Sequence, residues 1–132
     1  TFFTALEDNE IITAIRIPTP SAGHGHAYEK QKRKIGDYAA AAAAVVLSMS
    51  GGTCKAAAIA LTNVGDTPLY ATDAAAALLG TAVDQAAVDS AVALAEGITN
   101  PAADTRGPVE FRTKIAGIMV RRAIARALSR AA

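Results

Sequence analysis

The chain has 132 residues, is 52% hydrophobic and 19% charged, and carries a formal net charge of +1. That is enough chain for one domain with its own core, and too even a charge balance for a general polyanion binder. Cys54 is the single cysteine, which excludes an internal disulfide and any zinc or iron–sulfur site built from cysteines.

A reducing, cytoplasmic setting fits one lone thiol. The longest apolar run, Tyr38 to Met49, is too short to cross a bilayer. Glu7, Asp8 and Glu10 sit where a signal peptide needs its apolar stretch. The sequence opens on Thr1-Phe2-Phe3 without an initiator methionine, and it is expected to be the end of a longer polypeptide.

Glu10 to Ile17 alternates, with Ile11, Thr13, Ile15 and Ile17 on one face, and is predicted as a strand stopped by Pro18 and Pro20. After a loop over Ser21 to Gly25, the stretch His26 to Lys34 alternates again. Strand periodicity puts Tyr28, Lys30, Lys32 and Lys34 on one face and Glu29, Gln31 and Arg33 on the other. Both faces are polar at the distal end, so that half is expected to leave the sheet. Tyr38 to Met49 holds helix-favouring alanines, but Val45-Val46-Leu47 ahead of Ser50-Gly51-Gly52 favours a strand entering a hairpin. Its partner is Thr53 to Thr62, with Lys55, Ile59 and Leu61 on one face, and a helical turn is expected near Asp37 to Ala40.

The second half changes period. Thr67-Pro68 offers an N-cap and a first-turn proline, and Leu78-Leu79-Gly80 closes that helix. Asp84 caps a second helix whose apolar face is Val88, Ala91, Val92 and Ala95, ended by Gly97. A loop over Ile98 to Gly107 leads to Pro108, which starts a long helix with Phe111, Ile115, Ile118, Met119 and Leu128 predicted inward. Arg121, Arg122, Arg126 and Arg130 load its C-terminal half, where cations complement the dipole. Strands first and helices afterwards read as α+β: an antiparallel sheet of about four strands followed by three helices packed on one face.

Chemistry concentrates between Ala27 and Ala39. Tyr28 and Lys30 point the same way from a strand, and a phenol beside an ammonium can pack on and hydrogen-bond a flat, electron-poor heterocycle. The plainer reading is an edge strand whose solvated lysines discourage aggregation. Lys30-Gln31-Lys32-Arg33-Lys34 could also form a phosphate or RNA patch, but it lacks the interleaved aromatics of a single-strand binder. His24 and His26 have a chelating spacing without a third ligand nearby. Asp104-Thr105-Arg106-Gly107 reads as the signal for a helix start, with Glu110 near the positive end of the dipole. No Ser/His/Asp or Cys/His arrangement and no phosphate-cradling glycine loop is visible.

One resemblance runs through these residues. Glu10-Ile11-Ile12 through Ile17-Pro18, Tyr28-Glu29-Lys30, Arg33-Lys34-x-x-Asp37-Tyr38, Asn63-Val64-Gly65-x-x-Thr67-Pro68, Leu78-Leu79-Gly80 and Asp104-x-Arg106-Gly107-x-x-Glu110-Phe111-Arg112 follow in order. Together they resemble the FAD-binding (medium) subunits of molybdenum hydroxylases, the carbon monoxide dehydrogenase-like members more closely than the xanthine dehydrogenase-like ones. The resemblance implies that residues 1–20 end a preceding FAD-binding domain and connecting strand, and that residues 21–132 form the flavoprotein's C-terminal α+β domain. It implies FAD held mainly by upstream domains, a molybdenum cofactor in a large partner subunit, and iron–sulfur clusters in a small one. No nucleic-acid partner and no transmembrane segment is expected. By the same resemblance Ile12 and Lys30 match flavin-contacting positions, and Tyr28 matches a position beside the isoalloxazine ring. The competing function is a subunit-docking scaffold with no direct flavin contact. The two differ in whether Tyr28 and Lys30 face the side on which the missing domains would sit.

Overall fold

The computed structural model describes residues 4–131, so the Thr1-Phe2-Phe3 opening lies outside the described residues. Four strands, β1 (His24–Gln31), β2 (Ala41–Ser50), β3 (Thr53–Thr62) and β4 (Leu69–Tyr70), precede three helices, α1 (Thr72–Ala76), α2 (Gln85–Gly97) and α3 (Val109–Leu128). The sheet is an antiparallel meander in the order β1-β2-β3-β4. Its centre is set by Gly51 and Gly52, whose φ values of +59° and +75° form the left-handed pair that a two-residue hairpin turn demands.

The hairpin agrees with the sequence reading except at one residue. Ser48 pairs with Ala56 but Met49 pairs with Cys54, so Lys55 is an extra residue bulged out of β3. It is exposed rather than sharing the buried face of Ile59 and Leu61. Beyond the bulge, the Cys54 amide donates to Thr81 O and the Gly80 amide donates to Cys54 O, both at 2.8 Å.

Two strand expectations change. Residues 10–17 form no regular element and join no ladder, and Ile11, Ile15 and Ile17 are 81–83% exposed. Their alternation is that of a strand, yet a strand needs a second edge and none among the described residues meets it. The fourth strand is instead β4, formed just after Thr67-Pro68, where capping residues alone predict a helix start. Leu69 and Tyr70 pair with Leu61 and Ala60, so the hairpin edge captures this segment first, and the helix begins only at Thr72. The expected helical turn at Asp37 to Ala40 is absent; just before it a tight turn closes instead, where the Asp37 amide donates to Lys34 O and Gly36 takes a φ of +83°.

The helices cover one face. Asp84 caps α2 through Oδ1, which accepts from the Ala87 amide at 2.9 Å, a cap worth about 1 kcal/mol. Ala87, Ala91, Val92 and Ala95 are the buried positions of α2, and Val88 is partly buried against them. α3 lies across β1 and β2, with α2 alongside it and α1 over β3. Leu47, Ile59, Leu61, Leu78, Met119 and Ile124 are fully buried between the layers.

The inward face of α3 differs from the one that hydrophobicity selects. Arg112, Ala116, Gly117, Met119, Val120, Ala123, Ile124 and Ala127 are buried, while Phe111 and Ile118 are 46% and 43% exposed. Ile115 and Leu128 are only partly buried. The reason is distance. A Cβ on Gly25 of β1 would lie 1.8 Å from Ala127 O, so helix and sheet are too close for anything but small residues at their contact. The large side chains are displaced to the flank. None of the helices in the described residues is long and apolar enough to cross a membrane.

Candidate functional site on the open face of the sheet

On β1 the alternation separates two surfaces. Gly25 and Ala27 are buried toward α3, and Glu29 reaches Arg126 of α3 at 2.8 Å. Tyr28 and Lys30 therefore project from the opposite side, the face that no helix covers, and Tyr28 is 55% exposed. Pairing stops at Gln31, so the basic tip from Lys32 onward leaves the sheet as its two polar faces predict.

The register extends this surface across the sheet. Tyr28 stands opposite Ala44, Ala44 opposite Ala60, and Ala60 opposite Tyr70. Lys30 stands opposite Ala42, which pairs with Thr62. This face thus carries the partly exposed Ala44 and Ala60 between Tyr28 and Lys30 at one margin and Tyr70 at the other, while Ala42 is fully buried. Val46, which pairs with His26 and Ala58 on the same face and is 40% exposed, bounds the small side chains of Ala44 and Ala60 on one side. Ile12 is 64% exposed on the unpaired 10–17 segment, and no ladder joins it to Tyr28 and Lys30.

Beside β1, two loops are fastened together. Arg33 donates through Nε to Asp37 at 3.3 Å and through Nη1 to Thr105 O at 3.2 Å. The Arg106 guanidinium lies 5.7 Å from the centre of the Tyr38 ring, in cation–π range. Asp104 ties this side to α3. Its carboxylate accepts from the Arg106 amide at 2.7 Å, pairs with the Arg106 side chain, and stands 3.2 Å from Arg112. The Asp104–Gly107 segment closes on itself as a bridge, so it is a tight turn ahead of the helix, and the N-cap position belongs to Pro108.

Arg112 is the residue that sequence reasoning underrated. It is 5% exposed. It donates to Ala40 O at 3.2 Å, to Ala102 O at 2.6 Å and to Asn63 O. Asn63 is left-handed, with φ 64°, a conformation asparagine tolerates, and its side chain donates to Ala39 O. One guanidinium therefore joins the start of β2, the end of β3 and the loop before α3. In the sequence its signals were its place at the end of the Asp104-to-Arg112 motif and its helical spacing from Ala116, Met119 and Ala123.

The Arg106 amide, helped by the Arg106 and Arg112 side chains, holds the Asp104 carboxyl below its ordinary value. A depressed carboxyl contributes stability above its unfolded pKa of about 3.9, and that contribution is lost as pH falls through the folded value. The wild-type urea midpoint is thus expected to fall more between pH 6 and pH 3 than that of Asp104→Asn. Parallel pH profiles for the two proteins would refute the coupling.

The remaining candidates are structural. The His24 and His26 rings stack at 5.4 Å, and His24 Nδ1 donates to Ser21 O. No group of three or more potential metal ligands occurs among the described residues. Burial pushes the Cys54 thiol up, and it donates to Ala56 O, so its chemistry is that of a core side chain.

Residues 26–127 match the CO dehydrogenase flavoprotein C-terminal domain. The chain is 65% identical over 130 residues to the carbon monoxide dehydrogenase medium chain of Afipia carboxidovorans, covering 98% of this chain and 45% of that one. It is 46% identical over 132 residues to the medium chain of Hydrogenophaga pseudoflava, covering all of this chain and 46% of the other. A solved structure of reconstituted CO dehydrogenase from Oligotropha carboxidovorans superposes with a TM-score of 0.96 at 65% identity, over 98% of this chain and 46% of that one. The chain spans about half the length of the relatives it matches. By sequence and by fold alike, the chain belongs to the CO dehydrogenase flavoprotein C-terminal domain family.

Proposed function

We propose that this chain is the C-terminal part of the FAD-binding medium subunit of a carbon monoxide dehydrogenase-like molybdenum hydroxylase, and that the open face of its sheet helps enclose the flavin. The observation that carries this reading is that Tyr28 and Lys30 share the sheet face opposite the helices, beside the partly exposed Ala44 and Ala60. Small side chains bounded by a phenol and a cation suit a planar, electron-poor ring. No glycine-rich segment opens a helix among the described residues, so the FAD diphosphate and adenosine fall to polypeptide outside them. In this reading residues 1–20 finish the preceding FAD-binding domain, residues 21–132 are the C-terminal domain, and Ile12 lies beside the cofactor.

FAD, when bound, receives electrons from iron–sulfur clusters of a small subunit, which are filled by oxidation of substrate at a molybdenum centre in a large one. The role of this chain is narrower. Tyr28 lines one margin of the ring and keeps water from it. Lys30 holds a positive charge beside it and favours the more negative, reduced ring. Carbon monoxide as the substrate follows from the names of the relatives, whose match covers less than half of their length.

Lys30→Ala in the full-length medium subunit is expected to lower the flavin potential by tens of millivolts, 30 mV being about 1.4 kcal/mol for a two-electron couple. A unit charge near 4 Å is worth about 4 kcal/mol at an effective dielectric of 20, and desolvation of an exposed lysine removes much of that. Potentiometric titration checks it. An unchanged potential at full flavin occupancy would reject the role of Lys30.

A further inference from the structure

Tyr28 and Lys30 are not the only side chains that β1 aims away from the helices. Strand period puts His24 and His26 on the same face, just ahead of them along the strand. Their rings stand side by side, with centroids 5.4 Å apart and planes 28° from parallel. His24 Nδ1 lies 2.8 Å from Ser21 O. A carbonyl only accepts, so Nδ1 holds the proton and the lone pair of the neutral ring sits on Nε2. Ser48 stands opposite His24 on β2, and its hydroxyl meets that of Ser21 at 3.0 Å. His26 is exposed and His24 partly so. Within the domain these hydrogen bonds tie the loop before β1 to the sheet, and none of them uses the Nε2 of either ring.

From this arrangement we infer a chelating site for a divalent transition-metal cation, held by Nε2 of His24 and a ring nitrogen of His26. Side chains two residues apart on one strand face leave it roughly 7 Å from each other. Two imidazoles leaning together from that separation can share an ion at the usual zinc–nitrogen length of about 2.0–2.1 Å. The exposed His26 ring reaches the ion by turning about its side-chain torsions. His24 already has behind it what metal-bound imidazoles use, a backbone carbonyl on the other ring nitrogen that fixes tautomer and direction. The ligand chemistry selects the ion. Glu29 is turned to α3 and paired with Arg126, and Cys54 is buried, so neither that carboxylate nor that thiol joins the pair. Neutral nitrogens suit Cu2+ ahead of Ni2+ and Zn2+, and hold the oxygen-seeking Mg2+ and Ca2+ poorly. The pair supplies fewer ligands than a closed structural site uses, so water completes the coordination and the ion exchanges with solvent. Arg130 donates to the His26 carbonyl at 2.8 Å, and its charge keeps the affinity moderate.

The inference goes beyond the flavin reading and does not rest on it, since it requires only that this end of β1 stays open to solvent. The test titrates the full-length chain, purified alone, with Cu2+ by isothermal calorimetry. Wild type is compared with His24→Ala, His26→Ala and the double variant, with Mg2+ as the control ion. His26→Ala keeps the contact between His24 and Ser21, and thermal melting of the metal-free proteins checks that each variant folds. Wild type is expected to bind one equivalent of Cu2+ that the double variant lacks. Each single variant should hold that ion about a hundredfold more weakly, the cost of losing one of two linked ligands. At one equivalent, the electron paramagnetic resonance spectrum of the wild-type complex should show hyperfine splitting from two nitrogens. Equal stoichiometry and affinity in all four proteins overturns the site. So does a wild-type chain that takes up no Cu2+, which would mean that the rest of the polypeptide covers the pair. A loss in His24→Ala with none in His26→Ala overturns chelation in favour of a single imidazole, and Mg2+ bound as tightly as Cu2+ overturns the ligand assignment.

Discussion

Arg112→Ala is expected to lower the unfolding free energy by about 3–5 kcal/mol, a large share of the 5–15 kcal/mol that domains of this kind possess. The side chain is 5% exposed and donates to the carbonyls of Ala40, Ala102 and Asn63 while standing 3.2 Å from Asp104. Truncation leaves three carbonyls without their donor, at about 1–3 kcal/mol for each that stays buried, and unties three chain segments at once. Water entering the vacated space recovers part of this, which keeps the expected loss below the sum of the three. Arg112→Lys should recover little, because one ammonium cannot reproduce a planar fork aimed at separate acceptors. Urea denaturation of the domain gives the number directly. A loss under about 1 kcal/mol would show that these carbonyls are readily rehydrated, and Arg112 would lose its place as the organiser of this corner.

Gly25→Ala is the second substitution expected to do heavy damage, although it adds one methyl group. The new Cβ would sit 1.8 Å from Ala127 O and 2.8 Å from both Ala127 C and Ala131 N. All three are backbone atoms in the last turn of α3 or just beyond it, so no rotamer change relieves the overlap, and the helix terminus must move off the sheet. Overpacking of this kind costs about 1–3 kcal/mol and more where the obstacle is rigid. Gly117→Ala is the informative contrast. There the Cβ meets the Glu96 side chain, 2.1 Å from Oε1 and 2.9 Å from Cγ. That carboxylate pairs with a largely exposed Lys114, a contact worth at most about 1 kcal/mol. Replacing a mid-helix glycine by alanine returns roughly the same amount. Gly117→Ala should therefore be nearly neutral and Gly25→Ala strongly destabilising. Equal losses in the two variants would mean that α3 adjusts freely against β1.

Where a local signal and a local cause coincide, the sequence was readable. The Gly51-Gly52 turn, the Asp84 cap, the end at Gly97 and the start at Pro108 depend on backbone chemistry within a few residues, and the structure has each of them. The common face of Tyr28 and Lys30 follows from strand period alone. The misreadings share another origin, because each depends on something distant in sequence. Residues 10–17 have the pattern of a strand but no edge to pair with. Thr67-Pro68 has the residues of a helix start, but the free edge of β3 draws Leu69-Tyr70 into the sheet. On α3, ranking by hydrophobicity puts Phe111 and Ile118 inside. The short separation from β1 reserves that side for alanine and glycine, and admits Arg112 because three carbonyls wait for it.

The bulge at Lys55 bears on how the domain opens. Cys54, just before it, exchanges amide and carbonyl contacts with Gly80 and Thr81, which follow α1. The tip of the central hairpin is therefore riveted to the helical layer, and cannot fray as an independent ribbon. Amide protons near Cys54 and near Thr81 should share one exchange regime and be released in the same cooperative event. Any motion at the Tyr28 side of the sheet would then be borne by the β1 margin, leaving the middle of the sheet a fixed anvil.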